Sequence, residues 1–244
     1  MMTKLLILGG TTEASLLARA VADRGVDAVF SYAGRVAAPK TQPVPTRIGG
    51  FGGVVGFANY IQQHNITHVV DATHPFAAQM SWNAYHGCEA AGVPLVAFSR
   101  PVWTAGDGDN WTHVANIDGA VSTLRGPARR VLLALGKQSV SAFASKPQHH
   151  YILRLVDVPQ IAPDLPSHSI VVSRGPFDVA GDRALMQSHG VDLVICKNSG
   201  GVGAEAKLFA ARELGVPVVM IDRPEVPTRQ EMSTIKSVLD WATT

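Results

Sequence analysis

The sequence predicts an α/β protein made of two Rossmann-like parallel-sheet domains related by internal duplication, and three observations predict it. Apolar runs of strand length alternate with segments of helical spacing along the chain, the pattern of parallel strands joined by helical crossovers. The first strand runs directly into a glycine-rich turn and a helix. The two halves then repeat one order of elements, with Asp71 and Cys196 at matching places and an offset of about 125 residues.

Lys4 to Leu8 reads as the opening strand, followed by Gly9-Gly10-Thr11-Thr12 and a helix with Leu16, Leu17, Ala20 and Val21 on one side. Asp27 to Ser31 reads as a strand, Tyr32 to Arg47 as a polar, proline-bearing loop, and Ile48 to Gly53 as a second glycine-rich turn. Val54 to His64 spaces Phe57, Tyr60 and Ile61 along one helical face. Thr67 to Asp71 is strand-like and Ala72 to Phe76 a loop, with Asp71 placed to cap or orient it. Ala77 to Ala91 reads as a helix that Gly92 stops, and Pro94 to Phe98 as a strand closed by Ser99-Arg100-Pro101.

The repeat is carried by particular residues. Gly92-Val93-Pro94 and Arg100-Pro101 return as Gly215-Val216-Pro217 and Arg223-Pro224. His68 to His74 aligns with Leu193 to Ser199, and Gly50 with Gly175 ahead of a helix over Asp178 to His189. The opening strand and Gly9 align with Val131 to Leu135 and Gly136. The boundaries expected from this are 1–127 and 128–244, joined near Arg125 to Arg129. Trp111 to Ala115 and Ile117 to Leu124 read as a short strand and a helix, matched by a C-terminal helix from Gln230 to Ala242. These terminal elements can stay on their own half or exchange, and the sequence leaves both open.

Composition bounds the function. At 46% hydrophobic and 16% charged residues the chain reads as a compact globule, and no apolar run approaches the roughly 20 residues that span a bilayer. Nothing reads as a signal peptide, so a cytoplasmic protein without a membrane partner is expected. A net charge of +2 predicts no nucleic-acid partner. Cys88 and Cys196 have neither metal nor disulfide spacing and read as buried apolar residues, and His149, His150 and His168 have no metal-ligand spacing either. No metal is expected.

Ligands of open parallel sheets bind beyond the carboxyl ends of the strands. In the first half those ends carry Gly9, Gly10, Thr11, Thr12, Ser31, Arg35, Gly49, Gly50, Thr73 and His74. Glycines let a backbone approach a ligand, and a helix N-terminus offers N–H groups and partial positive charge to a phosphate. The full GxGxxG fingerprint is absent. Asp27 starts the second strand and cannot reach a ribose, whereas Ser31 and Arg35 follow its end and suit the 2′-phosphate of NADP. In the second half the ends carry Lys137, Ser139, Arg174, Lys197, Asn198, Ser199 and Gly200, with Lys207 in the helix behind. That set is cationic and predicts a carboxylate-bearing substrate. If the two carboxyl edges face one another, one cleft is lined by both sets. His74, held extended by Pro75, and Lys197 are the candidates for proton transfer. Trp103 and Trp111 read as core residues rather than as a ligand surface.

Leu6-Ile7-Leu8-Gly9-Gly10-Thr11-Thr12-Glu13-Ala14, Gly49-Gly50-Phe51-Gly52-Gly53, Asp71-Ala72-Thr73-His74-Pro75-Phe76-Ala77 and Lys197-Asn198-Ser199-Gly200-Gly201 with Lys207 together resemble the precorrin-6A reductase and cobalt-precorrin-6A reductase family. The resemblance runs from Lys4 to about Pro224. It implies NADPH-dependent reduction of one double bond of the precorrin-6A macrocycle, by direct hydride transfer, in corrin ring (vitamin B12) synthesis. The partner it implies is an acidic, tetrapyrrole-derived small molecule, with hand-over to neighbouring pathway enzymes. Two other readings fit the residues alone: an NADP-linked reductase of another acidic substrate, and a non-catalytic two-lobed anion-binding module.

Overall fold

The computed structural model describes residues 3–34, 40–159, 161–173, 175 and 177–243. Up to Arg100 the chain forms β1 (Lys4–Leu8), α1 (Thr12–Asp23), β2 (Asp27–Tyr32), β3 (Thr46–Ile48), α2 (Gly53–Gln63), β4 (His68–Asp71), α3 (Ala78–Ala91) and β5 (Leu95–Phe98). It continues through β6 (Trp111–Val114), α4 (Ile117–Thr123), β7 (Arg130–Ala134), β8 (His150–Leu155), β9 (His168–Val172), α5 (Val179–Ser188), β10 (Leu193–Lys197), α6 (Ala206–Leu214) and β11 (Val218–Ile221). It ends with β12 (Glu231–Met232) and α7 (Ile235–Ala242).

These elements form two compact units, one of Met1–Arg100 with Glu225–Thr244 and one of Pro101–Pro224. The first holds a six-stranded sheet ordered β3-β2-β1-β4-β5-β12, the second a six-stranded sheet ordered β9-β8-β7-β10-β11-β6. Every strand pair is parallel. The order is the same in both, as duplication predicts.

In the first unit Leu5, Ile7, Phe30 and Val70 face α1 and α7, while Leu6, Leu8 and Val69 face α2 and α3. In the second, Leu132, Val194, Cys196 and Met220 pack against α5 and α6. Side chains start most helices: Thr11 accepts from Ala14 N–H, Asn116 from Gly119, Asp178 from Gly181 and Thr234 from Ser237.

Three sequence expectations change. The long loop ending at Arg47 closes with a strand, β3, whose three residues pair with Phe30, Ser31 and Tyr32. The division at 127 is replaced by an exchange. Trp111 to Val114 extend the sheet beside Val218 to Ile221, and Glu231 and Met232 extend the other sheet beside Ala97 and Phe98. Each terminal strand and its helix thus complete the sheet of the opposite half. The C-terminal helix is also shorter than expected, because Glu231 and Met232 are extended and Thr234 caps the helix at Ile235.

Val238, Leu239 and Ala242 of α7 are buried in the first unit's core. Leu239→Ala is expected to lower stability by about 2–4 kcal/mol in urea unfolding, as for a central core leucine rather than a frayed terminus.

Candidate active site

At the carboxyl end of β1 the chain turns through Gly9 and Gly10. A Cβ on Gly9 would stand 2.0 Å from Phe30 Cζ, so the glycine lets the Phe30 ring close under the turn. Gly10 has φ of 122° and open space around it, so the backbone there is bare to a ligand. Thr11 caps α1, its Oγ1 accepting from Ala14 N–H at 3.1 Å and donating to the Ala72 carbonyl at 2.8 Å. That hydroxyl is committed to the fold, which leaves the backbone at the head of α1 and the exposed Thr12 for a phosphate. Glu13 in the first turn would oppose an anion. Arg100, just past β5, lies 3.4 Å from its Oε2 and offsets the charge.

Ser31, at the end of β2, is buried, and its Oγ accepts from Arg47 Nη1 at 2.8 Å. Arg47 also donates to the carbonyls of Gly49 (2.8 Å) and Gly50 (3.0 Å) and lies 3.8 Å from the centre of the Phe51 ring. Burial holds the Arg47 guanidinium below its ordinary pKa and pushes the neighbouring Tyr60 phenol up. The second glycine turn is therefore built on a cation that the sequence reading placed in a loop. Arg35 lies outside the described residues.

Asp71, at the end of β4, is the most heavily bonded carboxylate of this edge. Its Oδ1 accepts from Thr73 N–H (3.1 Å) and Thr73 Oγ1 (2.6 Å) and its Oδ2 from Ser81 Oγ (2.6 Å), while Arg229 Nη2 forms an ion pair with Oδ2 at 3.0 Å and donates to Ser81 Oγ at 3.3 Å. The side chains of Asp71 and Arg229 are 2% and 9% exposed. Asp71 thus orients the loop through Thr73, as expected. In the same loop His74 Nδ1 accepts from Phe76 N–H at 3.2 Å. An accepting Nδ1 puts the neutral ring's proton on Nε2.

In the second unit β7 is followed not by an α-helix but by two short 3₁₀ turns, Lys137–Ser139 and Ser141–Ser145. Lys137 is exposed on the first and Ser139 half-buried. Lys197 ends β10, half-buried. Asn198 is buried, its Oδ1 accepting from Trp103 N–H (2.8 Å) and its Nδ2 donating to the Trp103 carbonyl (3.0 Å). Trp103 Nε1 donates to the Gly201 carbonyl at 2.9 Å. Lys207 is buried, donates to the Ala204 carbonyl and lies 4.5 Å from the centre of a Trp103 ring. Asn198 and Lys207 therefore both bear on Trp103, the first by hydrogen bonds and the second through the ring face. Trp103 is core, as expected. Gly200, with φ of 69°, lies against the Pro101 carbonyl, where a Cβ would meet the oxygen at 2.1 Å. Arg223 bonds the carbonyls of Asn198 and Ser199 (3.1 and 3.2 Å). Arg174 lies outside the described residues.

The repeated Arg-Pro thus has one function in both halves. Arg100 and Arg223 each leave the fifth strand and tie down a neighbouring loop or helix end. The sequence reading missed Arg47, Arg100 and Arg229; the only signal was the Arg-Pro repeat itself. Burial pushes the Cys88 thiol up to about 12, with the Asp71 carboxylate adding to it, and raises Cys196 as well, so neither is a reactive thiolate. Among the described residues no group of histidines, cysteines or carboxylates could hold a metal ion, and no helix is long and apolar enough to cross a membrane.

A parallel sheet in this strand order, built twice and opening on a glycine turn under a capped helix, belongs to the Rossmann-like α/β oxidoreductases. Comparison with known proteins narrows the class. The family described as precorrin-6x reductase CbiJ/CobK matches residues 4–243, and the chain belongs to that family, which serves cobalamin biosynthesis. A precorrin-6A reductase of Rhodobacter capsulatus is 56% identical over 240 residues, covering 98% of this chain and 96% of that one. A cobalt-precorrin-6A reductase of Priestia megaterium is 30% identical over 252 residues, covering 96% of each. A solved structure titled CobK precorrin-6A reductase superposes with a TM-score of 0.95 at 55% identity, covering 99% of this chain and 96% of that one.

Breaking a buried ion pair on one side leaves an uncompensated charge. Asp71→Ala and Arg229→Ala are each expected to cost about 3–5 kcal/mol in urea unfolding, and the double variant less than their sum. Additive losses would mean that the two groups do not act as a pair.

Proposed function

We propose that this chain is an NADPH-dependent precorrin-6A reductase that adds hydride to one double bond of the metal-free macrocycle. The observation that carries the reading is the family match over residues 4–243. The metal-free substrate is favoured because the relative named for it is 56% identical and the one named for the cobalt form 30%.

The residues of the first unit fit a dinucleotide. Gly10 leaves an open backbone before the head of α1, and Thr12 is exposed there. No carboxylate ends β2; Ser31 stands there with Arg47 bonded to it, so a 2′-phosphate meets positive charge, with Arg35 close behind in the chain. Gly9, Gly49, Gly50 and Thr73 shape the turns around that site. When bound, the reduced nicotinamide supplies the hydride. Lys137, Arg174 and Lys197, with Ser139, Ser199 and the Gly200 backbone, hold the substrate's carboxylates and orient the macrocycle. The proton that completes the reduction is held at Lys197 Nζ or at His74 Nε2.

Nicotinamide fluorescence on titration tests the cofactor. Wild type is expected to prefer NADPH to NADH, and Arg35→Ala to weaken NADPH by about tenfold or more with NADH little changed. A wild type that binds neither nucleotide would sink the reading. Lys197→Met and His74→Asn separate the proton sources: the true donor's variant is expected to lose about 10²–10⁴ in kcat while keeping its NADPH affinity.

A further inference from the structure

The second sheet lacks the helix that follows β1 in the first. Two short 3₁₀ turns stand in its place after β7, and beside them is a cavity of about 180 Å³. Its apolar lining includes Val140, Leu153, Leu155 and Ile161, and its polar lining includes Lys137 and Ser141. Asp164, itself exposed, is an acid among the lining residues. The chain leaving β8 carries apolar residues out toward solvent: Val156 is 58%, Val158 73% and Ile161 86% exposed. Three large aliphatic side chains so close in sequence are costly to leave in water unless something covers them. They sit in the loop after β8, at a carboxyl end of the sheet, where open parallel sheets bind ligands.

In the first unit the same place holds a helix N-terminus suited to phosphate. Here the helix is gone, the space is lined by aliphatic carbon, and the cation is a side chain. That combination suits a ligand with an apolar edge and a carboxylate arm. We infer that this cavity, with Ile161 over it and Lys137 at its side, binds one edge of the acidic tetrapyrrole substrate, Lys137 taking a carboxylate arm while Ile161 and Leu155 cover the ring edge. The assignment rests on the reductase reading for the identity of the substrate and on the cavity's own chemistry for the class of ligand.

Ile161→Asp tests it in the full-length chain, because a side chain so exposed is replaced without disturbing the core. Thermal melting and NADPH affinity are expected to stay as in wild type, while KM for precorrin-6A rises about tenfold or more. Binding of an octacarboxylic porphyrin, followed by its fluorescence, is expected to weaken by a similar factor. Normal wild-type turnover with an unchanged KM in Ile161→Asp would overturn the cavity assignment and leave the reductase reading standing. No turnover by wild type, with the porphyrin still bound and weakened by the variant, would remove the reductase reading and uphold the cavity. No turnover and no porphyrin binding would remove both.

Discussion

A carboxylate buried at the end of β4 has to be neutralised, and much of the first unit is arranged to do it. Asp71 accepts from Thr73 and Ser81 and is ion-paired with Arg229. An ionised side chain so far from water is tolerated only when paired and hydrogen-bonded. Two of its partners are local, from the loop it shapes and from the first turn of α3. The third, Arg229, arrives only after the chain has built the whole second unit and returned. The carboxylate that orients the loop bearing Thr73 and His74 is thus paired with a residue of the C-terminal segment. Connectivity explains why one ion pair matters to both fold and site. Only Gln230 separates Arg229 from β12, so the pair that neutralises Asp71 also seats the strand that completes the sheet.

The two units show how one topology is adapted to two tasks. Leu8 is paired with Asp71 in the first sheet, and Ala134 with Cys196 in the second. The rung that holds Ser31 beside Arg47 holds Arg154 beside Val171. Each sheet seats a guanidinium at that rung but supplies it from a different strand. Arg47 seats on Ser31 and two carbonyls, whereas Arg154 pairs with Asp182 of α5 at 2.5 Å. The buried carboxylate of the first unit becomes a buried cysteine in the second, where no Arg229 arrives to pair with it. The helix that follows β1 shrinks to 3₁₀ turns after β7. One edge thus keeps bare backbone and a helix head, while the other offers lysines and aliphatic carbon.

Much of this was legible in the sequence. Lys4 to Leu8, His68 to Asp71 and Leu95 to Phe98 announce themselves as apolar runs closed by turn residues, and the repeat gave the common order of the sheets. The exchange of terminal elements was not legible. Trp111 to Thr123 and Glu231 to Ala242 are each a short strand and a helix, so either pair suits either sheet by pattern alone. β3 was missed because three residues after a proline-bearing loop carry no periodicity. Asn198, Lys207, Thr11 and Thr73 show a different limit. Sequence gives the donors and acceptors a residue owns, but not which are already spent. All four direct polar atoms to their own fold.

That spending sharpens the case for the first unit's ligand. With the Thr11 and Thr73 hydroxyls and Ser31 Oγ bonded internally, the dinucleotide proposed for this edge would meet chiefly the backbone of the two glycine turns and cationic charge. Backbone N–H groups at a helix head read phosphate but not the sugar behind it. Discrimination between the two nicotinamide dinucleotides then depends on what stands at the end of β2. A carboxylate there would accept from ribose hydroxyls and repel a phosphate. Ser31 carries no charge to repel a phosphate, and the guanidinium bonded to it adds positive charge there. The proposed preference for the phosphorylated dinucleotide thus rests on a buried serine whose contribution is to place an arginine.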